Sequence, residues 1–323
     1  MTAADGTRSP AASPQCARTL LMVRPAIFYA NPETLASNTF QHVPQVAAAD
    51  TLAAAQAEFD AAVEALRNAG VEVVVAVADS AAATPDALYP NNWFSTHADG
   101  RVLLYPMAAP SRRRERRPQL LTALAAREHW LISSTTDLSP LETRGCYVEG
   151  TGSLVLDRQA QLAYAALSPR THAEGVAIAC LELGYEAVCF EARDSAGREI
   201  YHTNVLMSVG PTLAVLASGC VAPGPGLRRV FDALERTNKT LLDIQDAQLG
   251  EFAGNVLFVD AGAAGPVVAL SRRAWQSLTP AQRQLLEQHA RPVLCDVATI
   301  EHVGGGGIRC MLAEIFLPRR APR

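Results

Sequence analysis

The sequence predicts an α/β fold of five similar units arranged around one axis, and three observations carry that prediction. A strand or hairpin rich in Val, Leu and Ile, an amphipathic helix and a further strand follow one another four times. Polar residues at the starts of the units recur at near-constant spacing: Asn92, Glu149, His202, Asn255 and Cys310 are 57, 53, 53 and 55 residues apart, the mark of a repeat architecture. The two ends of the chain supply the halves of a fifth unit, and uniting them removes exposed sheet edges. In a circular array equivalent positions face one axis, so the five polar residues are expected to converge on a central cavity. An ordinary layered α/β sandwich is the competing arrangement, because strands and helices alternate in many folds.

Each unit is justified by its own residues. The split unit pairs "CMLAEIFL" (310–317) with "LLMVRPAIF" (20–28), continues through an alanine-rich helix over 48–70 and ends in the strand 71–77. The next has the strand "RVLLYPM" (101–107), a helix near 118–128 and the strand "WLISST" (130–135). The clearest unit begins with a hairpin over 153–167, passes through a helix over 171–184 that ends in glycine, and closes with the strand 185–190. Then come "NVLMSVG" and "TLAVLAS", the helix 226–238 and "TLLDIQ". The last comprises "NVLFVD" and "VVALS", a helix over 279–290 with Thr279 placed to cap its N-terminus, and "VLCDV".

Bulk properties narrow the function classes. With 323 residues, 49% hydrophobic and 19% charged, the chain has ample material for a core, in one large domain or two ordinary ones. A net charge of −4 argues against general affinity for nucleic acid or an anionic membrane. The basic run "SRRRERR" (111–117) reads first as a solvated surface. Seven cysteines, an odd number without CxxC spacing, suit a reducing cytosol. Residues 1–19 lack the apolar stretch of a secretory leader and read as a disordered tail, 319–323 as a short C-terminal tail, and 20–318 as the single folded domain. No segment approaches eighteen uninterrupted apolar residues, so a cytoplasmic protein is expected, with association between copies left open.

The chemistry is concentrated in "GGGGIRCM" (304–311). Four glycines contribute nothing to a core strand or helix. In series they let the backbone approach something closely and leave Cys310 at the edge of an open space. A thiol becomes a nucleophile beside a base or cation, and the period places His202 across the channel from Cys310. Glu149 is a carboxylate able to orient that imidazole or to take a substrate proton. Cys310, His302 and His202 form the best available metal set, but their spacing matches no zinc pattern, so no metal and no cofactor are expected. A dinucleotide-binding reading fails because the glycines lead into a terminal strand rather than opening a helix after one.

Taken together, "PDALYPNNWFSTH", "EGTGSLVLD", "LSPRT", "YHTNV" and "GGGGIRCM" resemble the guanidine-modifying (pentein) superfamily of arginine deiminases, dimethylarginine hydrolases and amidinotransferases, and most of all its citrulline-utilisation hydrolases. The resemblance spans roughly residues 20–318. It implies a five-bladed, pseudo-symmetric α/β propeller of ββαβ units around an active-site channel. It also implies Cys310 as nucleophile, His202 as general acid/base and Glu149 as the acidic residue of the (E/D)GG(D) motif. Asp86 matches the position that holds a substrate α-amino group, and Arg112 and Arg170 match arginines that hold its α-carboxylate, so the basic run contributes one functional residue.

Departures from the family pattern point to the substrate. Asn91 and Asn92 stand where relatives carry a carboxylate, Gly152 replaces the last acid of (E/D)GGD, and His202-Thr203-Asn204 replaces H-x-D. Carboxylates that would clasp a guanidinium are thus neutral, and a buried cation without them is costly. Asparagine both donates and accepts, matching the NH₂ and C=O of a ureido group. The expectation is a cysteine-dependent hydrolase converting citrulline to ornithine, ammonia and CO₂, with Asn91, Asn92 and Asn204 binding the substrate along the lining of the head-group end. An arginine deiminase, dimethylarginine hydrolase or amidinotransferase is the rival activity, and a catalytically silent propeller used as a binding module is the rival of another class. The role of Asn255 is left open.

Overall fold

A computed structural model describes residues 14–45 and 47–320. Among these residues fifteen strands form five three-stranded sheets, each built on one plan. A short strand pairs antiparallel with a central strand, the chain crosses over through a helix, and a third strand lies parallel to the central one, as a parallel pair requires. In chain order these are β3 (Phe94–Thr96), β4 (Arg101–Leu104) and β5 (Ser134–Asp137); β6 (Val155–Asp157), β7 (Leu162–Leu167) and β8 (Glu186–Glu191); β9 (Met207–Val209), β10 (Leu213–Leu216) and β11 (Thr240–Asp243); and β12 (Leu257–Asp260), β13 (Pro266–Ser271) and β14 (Arg291–Cys295). The fifth sheet joins the ends of the chain. β15 (Ala313–Ile315) pairs antiparallel with β1 (Thr19–Arg24), Leu20 opposite Glu314, and β1 runs parallel to β2 (Glu72–Val77) after the helix Ala48–Asn68.

Sequence pattern explains the layering. The helix Ala48–Asn68 buries Ala55, Phe59, Ala62, Val63 and Leu66, a stripe at helical spacing whose large members each contribute about 1.5–3 kcal/mol of transfer free energy. Central strands such as β7 and β10 are apolar and buried, whereas the third strands β8 and β11 alternate towards solvent. The short first strands are buried almost throughout and meet one another, β15 packing on β3 and β9 on both β6 and β12. The helix Pro280–His289 starts at Thr279 with a complete capping box.

Two expectations change. The strand placed at 130–135 begins instead at Ser134, because Trp130 turns away to bridge Arg319 and β5 is a polar, largely exposed edge. The tail expected to run through residue 19 is ordered and packed well before that point. Gln15 is buried and donates to the carbonyls of Leu156 and Val209 at 2.9 and 3.0 Å, tying the segment to β6 and β9, and Thr19 opens β1. Residues 1–13 and 321–323 of the two expected tails lie outside the described residues. Among the described residues no helix is long and apolar enough to cross a membrane. All seven cysteines are free.

Candidate active site

Just before each first strand the chain makes a short turn, and the periodic polar residues lie in these turns or, for Glu149 and His202, immediately before them. The turns are Pro90–Asn92, Gly150–Ser153, Thr203–Leu206, the turn in which Asn255 N donates to Phe252 O, and Ile308–Met311. Their contacts run from unit to unit and return to the start. Thr151 Oγ1 donates to Asn91 O (3.4 Å), Thr203 Oγ1 to Ser153 O (2.5 Å), Asn255 Nδ2 to Asn204 O (2.9 Å) and Cys310 Sγ (3.3 Å), and Asn91 Nδ2 to the Cys310 carbonyl. A cavity lies beside this cycle, lined by Cys310, His202, Asp86, Asn92, Arg112 and Arg170 among others.

The glycine run answers to its neighbours. A Cβ on Gly304 would fall 2.1 Å from the Tyr89 hydroxyl, and Gly305 holds φ at +67° with Asn38 against it. The open space expected beside these glycines is therefore partly filled by Tyr89 and Asn38. Tyr201 Oη donates to Gly305 O (2.8 Å) and Tyr89 Oη to Gly306 O (3.2 Å), which fixes the loop that delivers Cys310.

His202 and Glu149 form a tight buried pair, Nε2 to Oε2 at 2.8 Å. Burial presses the imidazole towards its neutral form, and the nearby Arg170 and Arg112 charges act the same way. A neutral ring that donates from Nε2 to a carboxylate leaves Nδ1 with its lone pair. Burial opposes ionisation of Glu149, but the His202 hydrogen bond and the guanidiniums outweigh it and hold that carboxyl below its usual range. Glu149 Oε1 also accepts from Ala108 N (2.9 Å). Gly152 is the seat of this arrangement: a Cβ there would lie 2.2 Å from Asn92 Nδ2 and 2.8 Å from His202 Nδ1. Among the described residues no hydrogen bond joins Cys310 to His202, although both line the cavity. Burial pushes the Cys310 thiol up, against donation from Asn255 and the charge of Arg309.

The far end is densely charged. Arg112 makes a two-point pair with Glu115, both contacts 3.0 Å, gives Nη2 to Asn92 Oδ1 (3.1 Å) and lies 3.7 Å from Asp86 and 3.8 Å from Glu149. Arg170 reaches Ser37 Oγ (2.6 Å), lies 3.9 Å from Glu149 and sits over the Tyr201 ring. Asp86 accepts from Asn31 Nδ2 (2.7 Å); burial raises its pKa while Arg112 lowers it. Glu115 is pushed up to about 7 by burial, with Arg112 opposing.

Of the residues singled out in the sequence, Asp86, Asn92, Arg112, Arg170, His202 and Cys310 line the cavity. Glu149 stands behind His202. Asn91 and Asn204 are not part of the lining expected of them: Asn91 binds the Cys310 backbone and Asn204 Nδ2 lies 3.7 Å from Sγ, behind the sulfur. The sequence reading missed Glu115, hidden in a basic run, and Asn31, Thr34 and Asn38, which lie in a non-periodic segment. It also missed Tyr89 and Tyr201, which flank motifs it used. Among the described residues no cluster of three or more His, Cys, Asp or Glu is arranged to hold a metal.

A family model for eukaryotic N,N dimethylarginine dimethylhydrolases matches residues 24–317. The chain belongs to that family. It is thereby a member of the guanidine-modifying superfamily. Among solved structures it is similar to the substrate-bound N-terminal domain of ArgZ, an arginine dihydrolase of the cyanobacterial ornithine-ammonia cycle (14% identity, 93% of this chain and 99% of that one, TM-score 0.69). It is also similar to AgrE bound to L-arginine (15% identity, 94% and 40%, TM-score 0.72) and to the dimethylarginine hydrolase of Pseudomonas aeruginosa bound to citrulline (16% identity, 93% and 100%, TM-score 0.64). These identities speak to fold alone. The chain spans 41% of full-length ArgZ. A search of curated proteins found no match.

Proposed function

We propose that this dimethylarginine-hydrolase relative is a cysteine hydrolase of a ureido amino acid, citrulline above all, forming ornithine, ammonia and CO₂. The observation that carries this reading is the polarity of the sulfur's surroundings. Sγ is met by the carboxamides of Asn204 and Asn255, while the carboxylates Asp86, Glu115 and Glu149 lie around Arg112. Asn204 and Asn255 keep formal charge away from the sulfur without lining the cavity, and Asn92 lines it beside His202; a neutral ureido head suits that lining and an amino-acid end suits the surroundings of Arg112.

In this reading the substrate α-amino group meets Asp86, and its carboxylate is received by Arg170 and by Arg112 Nη1, since Glu115 and Asn92 already occupy the other two Arg112 nitrogens. Cys310 Sγ attacks the ureido carbon while the thiol proton passes to His202 Nδ1. As the tetrahedral adduct collapses, the terminal C–N bond breaks and ammonia departs with the proton from His202. Water, deprotonated by the same nitrogen, then attacks the carbamoyl thioester, and the released carbamate loses CO₂ to leave ornithine. Glu149 keeps the imidazole in the tautomer that both steps need. The meeting of the first strands and the return of the axial contacts support the five-bladed propeller, and free cysteines suit a cytosolic setting.

A second reading is favoured by charge. Two guanidiniums face three carboxylates at the far end, a balance that admits a cationic arginine, with citrulline then formed and consumed in turn. An end-point screen of citrulline, arginine, methylated arginines and agmatine, with product analysis, separates the readings. Ornithine and ammonia from citrulline are expected, and a protein that stops at citrulline rules the leading reading out.

A further inference from the structure

Asn255 occupies the fourth axial position, and the reaction as written above gives it no part. Its geometry is unusually constrained. Nδ2 lies 2.9 Å from the Asn204 carbonyl and 3.3 Å from Cys310 Sγ, so both of its hydrogens are directed at fixed acceptors. Turning the amide over would set Oδ1 against the Asn204 carbonyl, acceptor against acceptor, so the orientation is dictated by the backbone of the neighbouring unit. As oriented, Oδ1 is buried without a hydrogen-bond partner among the described residues and faces Gly307, where a Cβ would come within 2.6 Å of it. Buried polar atoms are nearly always paired, so a group that leaves its acceptor unsatisfied to keep a donor on a sulfur needs a reason.

We propose that Asn255 is a catalytic residue that holds the Cys310 thiolate, and that Gly307 is glycine to make room for its amide. A hydrogen bond from an uncharged donor is stronger to S⁻ than to S–H, so it favours the ionised nucleophile in a buried site that otherwise disfavours charge. Asn204 supports it from the side: its carbonyl fixes the Asn255 amide, and its own Nδ2 stands 3.7 Å from the sulfur. The fourth glycine of "GGGG" and the fourth member of the period then serve one purpose.

The inference rests on Cys310 being the nucleophile but not on the identity of the substrate, and the test separates the two. The rate of Cys310 alkylation by iodoacetamide is followed against pH, with labelled peptides quantified by mass spectrometry, in the wild type, Asn255→Asp and Gly307→Ala. Asn255→Asp keeps the shape but replaces the donor by an acceptor, and Gly307→Ala displaces the amide without changing its chemistry. The alkylation midpoint of Cys310 should rise by one pH unit or more in both, labelling of the other cysteines should not change, and kcat/KM near pH 7 should fall at least tenfold with partial recovery at higher pH. Should a variant fail to fold, the wild type still decides: the ¹⁵N side-chain resonance of Asn255 should titrate with the Cys310 midpoint. An unshifted midpoint in folded variants, or an Asn255 resonance indifferent to Cys310 ionisation, overturns the proposal. A fully active Cys310→Ala protein would overturn the nucleophile itself.

Discussion

At the Arg112 end of the cavity, three buried carboxylates and two guanidiniums lie within a few ångströms of one another. At the Cys310 end, the side-chain partners of the sulfur are the carboxamides of Asn204 and Asn255. Both regions are buried, so the difference is one of chemistry rather than exposure. Charge is tolerated at the first end because cation and anion meet there at hydrogen-bond distance, as in the Arg112–Glu115 pair. At the second, the side-chain partners of the sulfur carry no formal charge, and the Glu149 carboxylate that serves this end is already engaged by His202. The pair Asn92 and Gly152 joins the two: Asn92 Oδ1 accepts from Arg112, and its Nδ2 occupies the volume that a side chain at Gly152 would fill.

The comparison breaks most completely at the nucleophile. Cys310→Ala should reduce turnover below detection while leaving thermal unfolding unchanged, because no other side chain can form the covalent intermediate; a cysteine-free burst of product at wild-type rate contradicts it. Next in size is Gly152→Ala, which places one methyl between Asn92 and the His202 ring. We expect kcat to fall more than tenfold with a smaller change in KM, read from steady-state kinetics with citrulline. At the charged end, Arg170→Met and Asp86→Asn each remove one charged hydrogen bond to the amino-acid end of the substrate, which is worth about 1.5–3 kcal/mol. KM should rise roughly 10–150-fold in each, with kcat less affected. An unchanged KM in both variants means the amino-acid end lies elsewhere.

The unit pattern was legible because each unit repeats apolar strands and one amphipathic helix, and because the axial residues are polar in otherwise apolar surroundings. β5 was placed too early for the converse reason: Ser134, Thr135, Thr136 and Asp137 pair with β4 as an exposed edge, so no apolar signal marks them, while Trp130 and Ile132 pack elsewhere. Cys310, His202 and Glu149 could be read from spacing. Glu115 could not, because an acid among five arginines looks like surface, and only the fold shows that it neutralises Arg112 in the interior. Asn204 was legible as an axial residue, but the side it faces was not, since spacing fixes the turn and not the rotamer.

The smallest expected effect compares two buried carboxyls. Glu149 is held ionised by His202 and two arginines, whereas Glu301, just before the glycine run, finds no hydrogen-bond partner for either buried oxygen among the described residues, and burial pushes it up from 4.5 to about 7, with Ser271 and the Arg273 charge opposing. A carboxyl with a folded-state pKa above its unfolded value binds more protons when folded. Its stability contribution is therefore complete below about 4.5 and lost as pH rises through about 7. Glu301→Gln should unfold like the wild type at pH 4.5 and be more stable by about 1–3 kcal/mol at pH 8, measured by urea denaturation. Equal stability at both pH values would show that the carboxyl finds a partner.

The contrast between a neutral head site and a charged tail site is tested most directly by kcat/KM for citrulline and arginine, measured side by side in one buffer on the wild type and on Asn92→Asp. The wild type should prefer citrulline by at least tenfold, and Asn92→Asp should narrow or invert that ratio by setting a carboxylate against a neutral ureido group. A wild-type preference for arginine or a methylated arginine, with citrulline accumulating as the end product, would contradict the account.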